Sequence, residues 1–562
     1  MRPLIECVPN ISEGRDMKII QEIANTINDF DGVELLDVDP GKATNRTVIT
    51  FVGGPEEVIE AAYQLIKKAA ELIDMRKHKG EHPRMGATDV CPLVPIANIS
   101  MEETVAFARK LGERVGKELK IPVYLYENAA QVPSRKNLAH CRSGEYEGMT
   151  KISDEKWKPD HGPDEFNESV KKTGVTAIGA RDFLIAYNVN LNTTSTRRAN
   201  AIAFDIREAG RIQREGDPIT GKVVLDENGE PLRIPGKLKS VKGIGWYIEE
   251  YGIAQLSLNL TNISITPMHV AFDEACKSAL ERGLRVTGSE IVGLVPLNAM
   301  LDAADFFLRK QSRSLGISEA EKIKIAVKSL GLDDLTPFIP EEKIIEYKIG
   351  KGDQRRLAGM SLQAFADETA SESPAPGGGS ISAYVGALGI SLGIMVANLS
   401  AHKRGWDERW EEFSDWAEKG VNLQERLMAK VDEDTVAFNK IMEAFGLPKD
   451  TEDEKAFRSQ SIEKATKYAM DVPFEVMQLA ASSMEVIAKM AEIGNPNSVS
   501  DAAVGALCAR TAAVGAFLNI RINASGLKDQ SYAAELISKG SDINNYLKEI
   551  EEKVLKIAES KI

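Results

Sequence analysis

The first 126 residues alternate between two patterns of apolar positions, one typical of strands and one typical of helices. The strand pattern covers residues 3–9, 33–39, 46–52, 88–96 and 122–126. The helical pattern covers residues 16–29, 55–74 and 102–119. The first six elements follow the order βαββαβ, which predicts a split βαβ sandwich with two helices on one face of an antiparallel sheet.

The same order returns later in the chain. Strand patterns occupy residues 183–191, 239–248, 253–262 and 286–295, and helical patterns occupy residues 195–211 and 267–283. A short echo between residues 86–95 (GATDVCPLVP) and 288–296 (GSEIVGLVP) supports an internal repeat. Turn residues at 216–221 and 226–229 indicate an inserted hairpin. Two similar sandwiches side by side would leave a cleft between them, where ligands commonly bind.

The pattern changes near residue 298. Helices are predicted over residues 298–309 and 317–330, a charged linker over 351–356, and almost continuous helix over 361–560. The predicted fold is therefore multidomain: an α+β N-terminal half of two ferredoxin-like βαββαβ sandwiches, followed by an all-α helical-bundle domain. The predicted boundaries are 1–179 and 180–348 for the two sandwiches, 349–356 for the linker and 357–562 for the bundle.

Composition narrows the class of protein. Five scattered cysteines without a CxxC pair argue against a disulfide framework and against a zinc site. A formal charge of −14 argues against a general nucleic-acid binder. We expect no apolar span of about 18 residues and find no signal-peptide core at the N-terminus, so the sequence predicts a cytoplasmic protein without membrane segments.

Residues 75–86 (MRKHKGEHPRMG) combine two histidines with several cations, which suits proton transfer beside an anionic ligand. Pro83 disfavours helical geometry at His82, so this histidine is expected in an extended loop. The neighbouring cations favour neutral imidazole, which can accept a proton near pH 7. Alternatively, His82 or His78 only stabilises a turn, and a metal pair would need further ligands nearby. Asp39 is expected in a turn after a strand, where it faces the same cleft or bonds its own backbone.

A second candidate site begins with a glycine run at residues 374–380 (PAPGGGS), at the start of a helix with a face of small residues. Glycine costs roughly 1 kcal/mol per helical position relative to alanine, so either close helix packing or ligand approach must account for it. Asp432 and Asp434 lie in a helical pattern at 405–444, where an acidic cluster is usually a solvated face. Asn519 and Asn523 share a helix face and either bind a polar ring or tie helices together.

Several of these segments occur together in one known family. Residues 6–14 (ECVPNISEG), 36–39 (LDVD), 45–47 (NRT), 78–86 (HKGEHPRMG) and 243–247 (GIGWY) resemble the glutamate formiminotransferases. The linker and the bundle resemble the cyclodeaminase fused to them. The resemblance to the bifunctional formiminotransferase-cyclodeaminase family covers essentially the whole chain.

This resemblance implies transfer of the formimino group from N-formimino-L-glutamate to tetrahydrofolate, which acts as the one-carbon acceptor substrate without a metal. It implies that His82 serves the proton transfers and that Asp39 contacts substrate. The family's folate-binding stretch maps onto Gly162, Pro163, Asp164, Glu165, Phe166, Asn167, Glu168, Ser169, Val170 and Lys171. These residues are more acidic than a polyglutamylated folate tail would favour, and a plain connecting loop is the alternative reading.

The resemblance also implies that the product, 5-formiminotetrahydrofolate, is closed to 5,10-methenyltetrahydrofolate with loss of ammonia, as in histidine degradation. Asp434 matches the acid of this second step, and Asp432 is carried over as a substrate contact. The family implies a homo-oligomer and no membrane or nucleic-acid partner. Two alternatives stay open: a bundle that serves only assembly, and a nucleic-acid-binding protein with a basic patch at residues 76–79.

Overall fold

The computed structural model describes residues 3–42, 44–80, 83–216, 221–227, 229–349 and 357–562. The chain divides into two compact units: Met1–Met300 with Leu330–Lys351, and Leu301–Ser329 with Gly352–Ile562. Residues 301–329, placed in the N-terminal half by the predicted boundaries, therefore group with the helical unit. Residues 350–356 of the predicted linker lie outside the described residues.

The N-terminal part of the first unit contains one large sheet and its helices. The strands are β1 (Leu4–Cys7), β2 (Asn10–Ile11), β3 (Val33–Gly41), β4 (Arg46–Gly53), β5 (Thr88–Ala97), β6 (Val123–Glu127) and β7 (Thr176–Ala180). The helices are α1 (Met17–Asn25), α2 (Pro55–Leu72), α3 (Met101–Arg114), α4 (Leu138–Cys141) and α5 (Glu168–Thr173). The predicted strand at 3–9 is thus shorter, at Leu4–Cys7, and β2 follows just beyond it. The predicted helix at 16–29 ends as a 3₁₀ turn over Thr26–Asp29.

The strand order in this sheet is β3, β4, β1 with β2, β5, β7 and β6. The first five strands pair antiparallel, whereas β7 pairs parallel with both β5 and β6. The prediction of a purely antiparallel sheet is therefore wrong at this edge. Apolar residues on one sheet face, among them Ile5, Cys7 and Phe51, pack with α1 and α2 in a single core.

A second sheet follows in the same unit. Its strands are β8 (Ile185–Leu191), β11 (Val241–Ile248), β12 (Ile253–Leu260) and β13 (Val286–Val292), with helices α6 (Thr196–Ile206) and α7 (Met268–Glu281). Between α6 and β11 lies the inserted hairpin, in which β9 (Arg211–Ile212) pairs with β10 (Arg233–Ile234). Residues 217–220 and 228 of its predicted turns lie outside the described residues. The strand order β11, β12, β8, β13 repeats that of β3, β4, β1 and β5, and the echo segments fall on β5 and β13.

Helices dominate the rest of the chain. They are α8 (Leu297–Lys310), α9 (Glu319–Leu330), α10 (Pro340–Lys343), α11 (Ile345–Ile349), α12 (Leu362–Thr369), α13 (Gly378–Ala401), α14 (Trp410–Phe445), α15 (Glu452–Ile493), α16 (Val499–Ala524) and α17 (Gln530–Lys561). The helical prediction for 361–560 is confirmed. Alanine and glycine line the contacts of α13. At Gly389, for example, a Cβ would lie only 2.9 Å from the Gly505 carbonyl oxygen of α16, so a side chain does not fit there. Close helix packing therefore explains the small residues in the middle of α13.

The expectation that no long uncharged apolar span exists is wrong. Gly378–Ala401 and Pro496–Ala524 are long and apolar enough to cross a membrane by length and composition. This is weak evidence, since 56% and 44% of their apolar windows are buried against other helices of the bundle. Core helices that pack through small side chains pass the same test as membrane spans.

Candidate active sites

The first candidate site centres on the loop after α2. His82 and Glu81 lie outside the described residues. His78 is tied down: its Nε2–H donates to the Asn45 carbonyl oxygen at 2.8 Å, and its Nδ1 accepts from Arg84 Nε at 3.3 Å. Asn45 also donates to the Lys79 carbonyl oxygen at 3.0 Å. Burial, with Arg84 contributing, lowers the pKa of His78, so this ring is held neutral with both nitrogens occupied.

The basic residues of this loop are less free than their sequence indicates. Arg84 is buried and pairs with Glu145 at 3.0 Å and with Glu147 at 2.8 Å. Arg76 pairs with Asp74 at 2.8 Å. Carboxylates therefore balance two of the cations that were expected to act together on His82, and the basic patch at 76–79 is weaker than predicted.

Asp39 lies inside a strand and not in the predicted turn. It pairs with Val48 on β4, whose neighbouring residues Asn45 and Arg46 border the His78 loop. Burial raises the pKa of Asp39, and the nearby carboxylates of Asp37 and Glu290 add to this shift. Asp39 therefore belongs to the same end of the sheet as the histidine loop. Lys343, which lowers the pKa of Asp39, and Glu290, which raises it, are both near enough to act on this carboxyl.

The second sheet contributes a row of buried amides that the sequence analysis did not single out. Gln255 Nε2 donates to Asn190 Oδ1 at 2.8 Å, and Trp246 Nε1 donates to Gln255 Oε1 at 3.2 Å. Asn188 donates to Glu290 Oε2 at 3.3 Å. A sheet face of this kind is polar and ordered, which suits a ligand more than a second core. The signal in the sequence was the alternation of Asn188 and Asn190 along β8.

Residues 162–167 form a loop that leads into α5, and residues 168–171 lie within this helix. Asn167 caps this helix by accepting from Val170 N at 3.0 Å, and the Val170 side chain is buried. Lys158 holds Asp164 at 2.9 Å, and Lys171 holds Glu168 at 2.6 Å. These ion pairs lower the pKa of both carboxyls and neutralise much of the acidity that argued against an anionic ligand here.

Glu6, in the ECVPNISEG segment, is a buried carboxylate on the central strand β1. Its pKa is raised to about 7 because burial outweighs the attraction of Arg181. The folded chain therefore binds a proton that the unfolded chain has released between about pH 4.5 and pH 7, and stability falls as pH rises through that window.

We expect Glu6→Gln to be within about 1 kcal/mol of the parent at pH 5 and more stable by up to about 3 kcal/mol at pH 8, because the uncharged amide removes the cost of burying the anion. Denaturant unfolding of the full chain at both pH values measures this difference. Equal stability differences at pH 5 and pH 8 would contradict the account.

The second candidate site lies where α14 meets the start of α13. Asp434 Oδ2 accepts from Ser380 N at 2.9 Å and from Ser380 Oγ at 3.2 Å. The residue that precedes α13, Gly377, has no side chain with which to cap the helix, so Asp434 supplies the cap from another helix. Burial raises the pKa of Asp434, whereas the two hydrogen bonds from Ser380 lower it. This balance suits a carboxyl that exchanges a proton.

The glycine run has a steric reason at this point. A Cβ on Gly379 would lie 2.1 Å from Asp434 Oδ1, so only glycine admits the carboxylate. A Cβ on Gly378 would lie 3.4 Å from Asn519 Nδ2, which places Asn519 beside the same helix end. Glycine is thus required at Gly379 by a side chain of the protein itself, and ligand approach at the glycine run stays a prediction.

Asp432 and Asn523 have separate partners. Asp432 accepts from Leu357 N at 2.8 Å and from Ala358 N at 3.4 Å, so its carboxylate holds the chain that enters the bundle. The substrate contact carried over for Asp432 stays a prediction. Asn523 donates to the Ala469 carbonyl oxygen at 2.9 Å and ties α16 to α15. Among the described residues, no group of three or more His, Cys, Asp or Glu side chains could hold a metal.

We expect Gly379→Ala to displace the Asp434 carboxylate by about 1 Å. Through the role that the resemblance implies for Asp434, this should lower ammonia release by roughly 10²-fold. The matched control is Gly377→Ala, where a Cβ has its nearest neighbour at 3.9 Å. Ammonia release by the two variants measures the effect, and equal rates would show that the close approach of Asp434 is unimportant.

Comparison with known proteins covers both units. Residues 4–181 match the family model of the formiminotransferase domain, N-terminal subdomain, residues 186–350 that of the formiminotransferase domain, and residues 361–541 that of formiminotransferase-cyclodeaminase. The formimidoyltransferase-cyclodeaminase of Dictyostelium discoideum is 41% identical over 99% of both chains. A glutamate formimidoyltransferase of Thermoplasma acidophilum is 44% identical over 54% of this chain and 92% of its own. A methenyltetrahydrofolate cyclohydrolase of Methylorubrum extorquens is 34% identical over 36% of this chain and 97% of its own.

Proposed function

This chain belongs to the formimidoyltransferase-cyclodeaminase family, and we propose that it divides the two activities of that family between its two candidate sites. It is a bifunctional enzyme of folate one-carbon metabolism. It transfers the formimino group of N-formimino-L-glutamate to tetrahydrofolate and then closes the product to 5,10-methenyltetrahydrofolate with release of ammonia. The observation that carries this conclusion is similarity to such enzymes along both halves of the chain.

For the transfer, His82 relays the protons. The 5-nitrogen of tetrahydrofolate attacks the formimino carbon and loses a proton, and the bond to the glutamate nitrogen then breaks as that nitrogen gains one. One imidazole can act as base and then as acid. His78 is engaged through both ring nitrogens, which favours His82 for this role.

Asp39 and residues 162–171 bind the substrates in this proposal. The formimino group is a cationic amidine when protonated, and Asp39 with Glu290 offers it negative charge. Lys158 and Lys171 neutralise the charges of Asp164 and Glu168, so an anionic folate tail beside α5 would not be repelled by these carboxylates. Both sheets of this half are ferredoxin-like sandwiches, an assignment supported by their common strand order.

For the cyclisation, Asp434 acts as the acid. The 10-nitrogen attacks the formimino carbon and loses its proton, which passes to the terminal nitrogen. A second proton, from Asp434, then lets that nitrogen leave as ammonia as its bond to the carbon breaks. Burial, which raises the pKa of Asp434, favours a carboxyl that carries this proton. The similarity of the bundle to a cyclohydrolase favours a second candidate, hydrolysis of the methenyl product, for the same site.

The bundle also serves assembly in this proposal. Leu388 and Leu399 of α13 and Leu518 and Ile522 of α16 are exposed by 46%, 48%, 57% and 71%, on two helices that pack together. A second copy of the chain would cover such an apolar face. Light scattering of the purified protein measures the oligomeric state. Five free cysteines agree with the cytoplasmic location proposed.

The function is tested by following methenyltetrahydrofolate absorbance from formiminoglutamate and tetrahydrofolate, with ammonia and glutamate measured in parallel. Both products should form in equal amounts. Glutamate without ammonia would leave only the transferase, and loss of a supplied methenyl compound would support hydrolysis. RNA retention that falls with salt would revive the nucleic-acid alternative.

A further inference from the structure

We infer that Ser380 is a positioning residue that directs the transferable proton of Asp434 to one oxygen, Oδ1. The inference rests on the proposed role of Asp434 as the acid of cyclisation. It concerns a serine that the sequence analysis included only as the last residue of the glycine run.

The two carboxylate oxygens of Asp434 have different surroundings. Oδ2 accepts both donors of Ser380, the backbone N–H at 2.9 Å and the hydroxyl at 3.2 Å. Oδ1 receives no hydrogen bond from the described residues and lies against the Cα of Gly379. An oxygen that already accepts two hydrogen bonds is a poor place for a proton, because a proton there would displace a donor. The proton therefore resides on Oδ1.

Ser380 is fully buried and is held by the third position of α13, so its hydroxyl has little freedom. The dipole of this long helix adds to the preference for negative charge on Oδ2. Gly379 makes room for Oδ1, since any side chain there would occupy the position of that oxygen. Serine and glycine thus act as a pair, one holding Oδ2 and the other accommodating Oδ1.

The charged groups around this site form ion pairs and hydrogen bonds with each other. On α14, Lys430 pairs with Glu433 at 2.6 Å and with Glu475 of α15 at 2.5 Å. Tyr468 of α15 donates to Glu433 at 2.9 Å. Ser380 of α13 and Asn519 of α16 do not titrate. The pKa of Asp434 is therefore set by burial, which raises it, and by the hydrogen bonds of Ser380, which lower it.

The test is the pH dependence of cyclisation of supplied 5-formiminotetrahydrofolate by the full chain with Ser380→Ala. The acid works only while protonated, so kcat falls as pH rises through its pKa. Loss of the hydroxyl removes a bond that stabilises the anion, and the basic limb should move up by about 0.5 to 1 pH unit. On the acidic plateau kcat should fall by up to about twofold with KM nearly unchanged, because the proton is then shared by both oxygens and only the form with the proton on Oδ1 is productive.

The matched control is Ser382→Ala, which removes a hydroxyl that donates to the Gly378 carbonyl oxygen at 2.6 Å in the same helical turn. A purely structural serine would lower Tm in either variant and leave the basic limb in place. An unmoved limb in Ser380→Ala, or an equal movement in Ser382→Ala, overturns the inference.

Infrared difference spectra separate this inference from the role of Asp434 itself. The carboxyl band that Asp434→Asn removes should titrate at higher pH in Ser380→Ala. If Asp434→Asn still releases ammonia, the proposed acid is wrong, and a shifted band would still support control of the carboxyl by Ser380. An unshifted band contradicts the inference whatever the activity.

Discussion

Asp434→Asn is expected to abolish ammonia release, by about 10² to 10⁴-fold, while transfer of the formimino group continues. The amide oxygen of asparagine can still accept from Ser380 N and Oγ, so the start of α13 remains capped and the bundle folds. What is lost is the proton that the leaving nitrogen needs. The transferase site belongs to the other compact unit and should be unaffected.

Glutamate and ammonia measured in one reaction check this result. The control is Asp415→Asn, an exposed aspartate on the same helix, which should leave both products unchanged. Loss of both activities in Asp434→Asn with a normal unfolding transition would argue against two separate sites. Undiminished ammonia release would remove Asp434 from the mechanism.

His82→Ala should have the opposite effect. We expect glutamate release to fall by about 10² to 10⁴-fold, since His82 would no longer carry the protons of formimino transfer. Cyclisation of supplied 5-formiminotetrahydrofolate should continue. Partial recovery with added imidazole would separate a proton carrier from a residue that only shapes the loop. A variant with full transferase turnover would exclude His82.

His78→Gln provides the contrast within the same loop. Its ring links the Asn45 carbonyl oxygen to Arg84, so we expect the substitution to disturb the loop without any recovery by imidazole. Recovery of His78→Gln instead of His82→Ala would exchange the roles of the two histidines.

Local patterns predicted most of the fold because apolar periodicity reports which face of an element is buried. The order of strands and helices in both sheets and the helices of the bundle follow from it. The strand β7, which lies between β5 and β6, was missed, since Thr176–Ala180 is a short, fully buried run without alternation. The parallel pairing of β7 with β5 and β6 joins segments distant in sequence, which no local pattern records.

For the sites, sequence determined the two segments proposed to carry chemistry, the histidine loop and the glycine run, because residue types suited to proton transfer and close approach are visible in the sequence itself. Tertiary structure alone decided their partners. It placed the carboxylate of Asp434 against Gly379 and Ser380, over fifty positions away, and turned Asp432 toward Leu357. It also gave Arg84 and Arg76 acidic partners and set Glu6 in surroundings where burial decides its protonation. The physical reason is that burial, hydrogen bonds and charge pairs depend on distances in space, which only the packed chain establishes.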